Sequence, residues 1–91
     1  MSEYAETEVS RTPELVVYCR NWCGHCAQAR AWLDERNISY VEIDVDADDQ
    51  ARERAAGFNE GRLHTPTFEY GTEVCVDFRP DRLCFILGID G

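Results

Sequence analysis

The chain has 91 residues, 44% of them hydrophobic and 30% charged, the size of one small domain with no room for a second. Eighteen acidic residues against nine basic ones give a formal net charge of −9, which repels phosphate backbones and sets nucleic-acid partners aside. No apolar run approaches the roughly 20 residues of a membrane span, and the N-terminal stretch is acidic where a secretory leader is basic and then apolar, so a cytoplasmic protein without a membrane partner is expected.

All nine cations are arginine, and lysine is absent. With the surplus of acids, this is the composition either of a protein kept soluble at high salt or of GC-rich coding. Five cysteines, at positions 19, 23, 26, 75 and 84, make an odd number. A fully paired secreted framework would leave one over, so a cytosolic redox or metal role fits better.

Residues 1–12 are acidic and lack apolar periodicity, and are expected to be a disordered tail before a domain over 13–91. Residues 14–19 contain consecutive apolar and β-branched side chains, as a central strand buried on both faces does. A helix is expected from the Cys23 region to Arg36–Asn37, with Cys26, Ala29 and Leu33 on its buried stripe and Trp32 beside them. Ser39 to Val45 alternates, placing Val41, Ile43 and Val45 on one face of a half-exposed strand, and this strand-helix-strand is a right-handed parallel unit. Asp46, Asp48 and Asp49 put carboxylates at the start of a second helix over 48–57, with Ala51, Ala55 and Phe58 on one side. Thr67 to Tyr70 and Glu73 to Phe78 read as strands joined at Gly71-Thr72, and Pro80 opens a last helix bearing Leu83, Ile86 and Leu87. The order is β-α-β-α-β-β-α.

Cys23 and Cys26 lie two residues apart at the first strand-to-helix junction. Positions i and i+3 share a helix face, so their sulfurs can approach bonding distance. The upstream sulfur sits at the helix N-terminus, where free N–H groups stabilise a thiolate, the nucleophile of disulfide exchange. Cys23 is therefore expected to attack and Cys26 to resolve. His25 between them adds positive charge if its ring faces the thiolate, and is otherwise an exposed helix residue.

The stretch Val17-Tyr18-Cys19-Arg20-Asn21-Trp22-Cys23-Gly24-His25-Cys26 resembles the glutaredoxin family, in which a strand ending Val-Tyr-Ser-Lys leads to a tryptophan or similar residue and then the redox pair. The similarity continues from Trp32 to Asp46 and at Thr65-Pro66-Thr67-Phe68, covering about residues 14–88. It implies a thioredoxin-like α/β fold with a four-stranded mixed sheet, and thiol-disulfide oxidoreductase activity without a bound cofactor. It implies further that Pro66 is cis and sets the Thr65 backbone beside the dithiol to pair with a substrate backbone. Arg20, Trp22, His25, Thr65 and Pro66 are then the residues expected around the substrate, a protein disulfide or mixed disulfide taken by a monomer.

Departures from the family bear on the electron donor. Cys19 replaces the usual serine and Arg20 the usual lysine, and Arg20 retains a fork able to hold a carboxylate. The Gly-Gly-Cys/Ser-Asp segment that grips the tail of glutathione is absent. Phe78-Arg79-Pro80-Asp81 is instead similar to redoxins that serve ribonucleotide reductase and are recharged by a thioredoxin reductase, although those have glycine where Asp77 stands. The Asn59-Glu60-Gly61 loop and the Trp-Cys-Gly opening are similar to mycoredoxin-like members, which use other small thiols. Glutathione or another small thiol, or a thioredoxin-reductase-type enzyme, is the expected donor. Three alternatives of another class use the cysteines as ligands: an iron-sulfur cluster on Cys19, Cys23 and Cys26, zinc on Cys23, Cys26, Cys75 and His64, and a glutathione-ligated cluster between two subunits. Cys75 and Cys84 otherwise read as buried structural thiols.

Overall fold

The computed structural model describes residues 13–89, so the expected tail over residues 1–12 lies outside the described residues. Strand β1 (Leu15–Cys19) is followed by helix α1 (Gly24–Glu35), strand β2 (Tyr40–Asp44), helix α2 (Asp49–Gly57), the hairpin of β3 (Thr67–Tyr70) and β4 (Glu73–Val76), and helix α3 (Pro80–Leu87). The four strands form one mixed sheet in the order β2-β1-β3-β4. β1 runs parallel to β2 and antiparallel to β3, and β3 is antiparallel to β4. This is the thioredoxin-like topology expected.

The period of two along β1 divides the interior in half. Leu15, Val17 and Cys19 point to one face, where they pack with Phe68 and Cys75 of the hairpin, Cys26, Ala29 and Leu33 of α1, and Leu83 and Ile86 of α3. Tyr18 points to the other, with Val45, Ala51 and Ala55, and Val16 packs at its border. α1 and α3 thus cover one side of the sheet and α2 the other. The central strand is buried on both faces because helices lie on both.

Element ends depart from the sequence pattern in three places. β2 covers Tyr40–Asp44, one residue shorter at each end than the alternation suggests. Val41 shares the α2 side with Ile43 but lies on the sheet edge, 37% exposed. β4 stops at Val76 rather than Phe78 because Asp77 takes a left-handed backbone with φ 76°. Its N–H turns to the Pro66 carbonyl at 2.8 Å, and Phe78 folds inward against Trp32, ring centres 6.0 Å apart. α2 starts one residue later than expected because Asp48 is its cap, accepting the Ala51 N–H at 3.0 Å.

Candidate active site

β1 ends at Cys19, and a turn closed by the Cys23 N–H on the Arg20 carbonyl at 3.3 Å delivers Cys23 as the N-cap of α1. No side chain caps this helix and its first turn holds no acid. The first N–H groups are left for the Cys23 sulfur, and the helix brings no carboxylate of its own to its positive end.

Cys23 is half-buried and Cys26 fully buried. The Cys23 thiol lies 3.6 Å from the Thr65 carbonyl oxygen. Burial works against its thiolate, but the Cys26 backbone N–H, the Thr65 and Cys26 side chains and the His25 backbone N–H outweigh it and bring the thiol below its ordinary 9.0. Cys26 moves the other way. Burial raises it above the ordinary value, and the adjoining Cys23 sulfur adds to the shift despite the Arg20 N–H and the Cys19 thiol. Cys19, buried in the same core, is pushed up far more, by burial first and then by Cys26. One half-exposed sulfur with a favoured thiolate stands before a buried partner that keeps its proton.

Thr65 approaches across the sheet from the loop before β3. The Thr65–Pro66 bond is cis, and the loop is held by the Thr67 hydroxyl on the His64 carbonyl at 2.7 Å. Trp22 is 72% exposed beside Cys23. Arg20 is already engaged: its Nε–H donates to Asp46 Oδ1 at 3.2 Å, and the Trp22 indole N–H donates to Asp46 Oδ2 at 3.2 Å. His25 does not turn its ring to the sulfur. Its imidazole is 62% exposed and faces Asp77 at 3.6 Å, while its backbone N–H serves Cys23.

Asp77 stands between two imidazoles, with His64 Nε2 at 3.3 Å from the same oxygen that faces His25. Its Oδ1 accepts the Phe78 N–H at 2.7 Å. Burial opposes ionisation there, yet this N–H and the two histidines hold the carboxyl below its ordinary 3.8. His64 Nε2 is itself buried, and the acid it faces is Asp77.

The zinc set of Cys23, Cys26, Cys75 and His64 is not gathered into a ligand shell. Cys75 is buried under α3 with its thiol on the Asp77 carbonyl at 3.3 Å. Among the described residues no group of three or more His, Cys, Asp or Glu is placed to hold a metal ion, which speaks equally against the Cys19, Cys23 and Cys26 cluster. Cys84, expected to be buried, is half-exposed on α3. Among the described residues no helix is long and apolar enough to cross a membrane.

Asp46, His64 and Asp77 join the site without having been expected as a group. Asp46 was foreseeable from strand pairing, because parallel register sets Asp44 against Cys19 and so carries Asp46 to Arg20.

The glutaredoxin family model matches residues 15–74. This chain belongs to the glutaredoxin family. It is 30% identical over 59 residues to a protein of Mycobacterium tuberculosis strain H37Rv named as a glutaredoxin, spanning 65% of this chain and 70% of that relative. A mutant of the thioredoxin-like protein BC3987 superposes with a TM-score of 0.75 at 30% identity, over 85% of this chain and 97% of its own. A glutaredoxin from Methanosarcina mazei reaches a TM-score of 0.77 at 19% identity, over 85% of this chain and 80% of its own, a likeness of fold. The glutaredoxin chain is thus a member of a thiol-disulfide oxidoreductase family, with a Cys-Gly-His-Cys pair at the head of α1.

Proposed function

We propose that this glutaredoxin reduces protein disulfides and thiol adducts in the cytoplasm, with Cys23 as nucleophile and Cys26 as resolving thiol. The observation that carries this is the asymmetry of the pair: Cys23 is reachable, faces Thr65 and favours its thiolate, while Cys26 is buried and keeps its proton. The Cys23 thiolate attacks one sulfur of a substrate R–S–S–R′, forming a bond from Cys23 to R–S and expelling R′–S⁻, which takes up a proton. Cys26 then gives up its proton and attacks the Cys23 sulfur, releasing R–S⁻ and closing the Cys23–Cys26 disulfide. Two electrons pass to the substrate, and two from an external donor restore the dithiol.

Thr65 and Pro66 line the approach to Cys23 and are assigned to hold the substrate backbone. Trp22 offers an exposed aromatic face for its flank. His25 contributes through its backbone, and its ring acts with Asp77. For the donor, a thioredoxin-reductase-type enzyme or a small thiol other than glutathione is favoured. Asp77 places a carboxylate, already paired with two histidines, at the start of the segment where a glutathione tail would need a donor.

The test couples the oxidised protein to glutathione with its NADPH-dependent reductase, and separately to a thioredoxin reductase, for the wild type and Asp77→Gly. The second donor is expected to turn over faster, with Asp77→Gly narrowing the gap. Fast, saturable turnover with glutathione that Asp77→Gly leaves unchanged overturns the donor assignment. Full activity in Cys23→Ser overturns the mechanism.

A further inference from the structure

The loop after β2 reaches the dithiol because β1 and β2 run parallel with Cys19 opposite Asp44, and the Val45 N–H donates to the Cys19 carbonyl at 3.0 Å. Two residues past the strand, the Asp46 carboxylate is gripped at both oxygens, by the Arg20 Nε–H and by the Trp22 indole N–H, each at 3.2 Å. The Arg20 guanidinium lies 5.1 Å from the centre of the Trp22 ring, closing the set. This is a complete anion seat with a resident anion. It is built at the surface, with the Asp46 side chain 41% exposed, one turn of chain from the Cys23 cap. On the other side of the dithiol, His25 and His64 face Asp77. Arg20, His25 and His64 each face an internal carboxylate.

We propose that Asp46 is a specificity-determining residue: by filling the seat formed by Arg20 and Trp22, it directs the enzyme to disulfides that bring a neutral or basic flank to Trp22, and against thiol adducts that bring a carboxylate there. The proposal rests on the oxidoreductase reading above. An entering carboxylate that takes the Arg20 Nε–H and the indole N–H must displace a competitor tethered in place, and one that approaches the outer guanidinium N–H groups finds a cation already neutralised by Asp46 beside it. It also meets like charge as it arrives, in a molecule already carrying a net charge of −9. A neutral flank leaves the set intact and lies on the indole face. A basic flank gains attraction from the outward side of Asp46.

The experiment uses one cysteine-containing peptide as two mixed disulfides, with glutathione and with glutathione diethyl ester, which differ only in the free carboxylates. The ratio of kcat/KM, ester over acid, is measured on the full chain with the same donor. The wild type should favour the ester. Asp46→Asn should lower the ratio about five- to tenfold by speeding the acid, Asp46→Glu should keep it near wild type, and adding Arg20→Gln to Asp46→Asn should restore the preference for the ester. A ratio that Asp46→Asn leaves unmoved overturns the proposal, as does an equal loss on both adducts, which would mean that Asp46 only holds Trp22 in place. A wild type that exchanges neither adduct nor any protein disulfide through Cys23 overturns the oxidoreductase reading instead. If protein disulfides react but neither adduct does, the ratio of Cys23 alkylation rates with iodoacetamide and iodoacetate, read in the same variants, decides by the same criterion.

Discussion

At Cys23, burial and hydrogen bonding pull in opposite directions, and the donors prevail. The thiolate is therefore populated at a lower pH than that of an ordinary thiol, and alkylation of Cys23 should reach half its maximal rate below pH 9.0. The measurement is the rate of alkylation against pH in Cys26→Ser, where the coupled titration of the second sulfur is removed. A midpoint at or above the ordinary value contradicts the arrangement. Cys23→Ser should lose all exchange, whereas Cys26→Ser should still act on thiol adducts, which need only one sulfur. The dithiol was legible in the sequence because two-residue spacing at a strand-to-helix junction leaves little freedom. The direction of the His25 ring was not, because it depends on Asp77, fifty-two residues further along and brought close only by the left-handed turn after β4.

Between elements, α2 is tied to the sheet by a polar contact as well as by apolar packing. The Tyr18 hydroxyl on β1 donates to Glu69 Oε1 on β3 at 2.7 Å, and Arg54 of α2 binds both oxygens of the same carboxylate. The hydrogen bond from Arg54 is the main cause holding Glu69 below its ordinary 4.5, assisted by Tyr18 against the cost of burial. With the folded-state value depressed, this contribution to stability is complete above 4.5 and is lost as pH falls through the folded value. Glu69→Gln should cost about 1 to 3 kcal/mol at pH 7 and flatten the decline in stability on the acid side. Denaturant unfolding at pH 7, 5, 4 and 3 checks both, and an acid decline as steep as that of the wild type removes the assignment. Sequence periodicity located all seven elements because each has a buried stripe or alternation of its own. It missed the end of β4, where one residue's φ decides and no side-chain pattern marks it.

Over the whole molecule, five of the nine arginines face specific carboxylates among the described residues: Arg20 faces Asp46, Arg30 Glu42, Arg36 Glu35, Arg54 Glu69 and Arg82 Glu73. With eighteen acids against nine arginines in 91 residues, a net charge of −9 is left to repel itself across a small surface. If this composition is an adaptation to salt, the unfolding midpoint should rise steeply between dilute buffer and molar salt, as screening shortens the range of repulsion. A flat response leaves coding bias as the explanation. Composition alone offered both, because arginine without lysine has the same charge under either.

Three of the five thiols, Cys19, Cys26 and Cys75, are sealed in the core, and only Cys23 and Cys84 reach the surface. In the reduced state the chain therefore carries its own counter of unfolding. A brief pulse of a thiol-reactive mass tag should add two labels to the native population and five to the unfolded one. Because all three hidden sulfurs belong to the single packed layer between the sheet and helices α1 and α3, they should become reactive together. Species with three or four labels would reveal that this layer opens in parts.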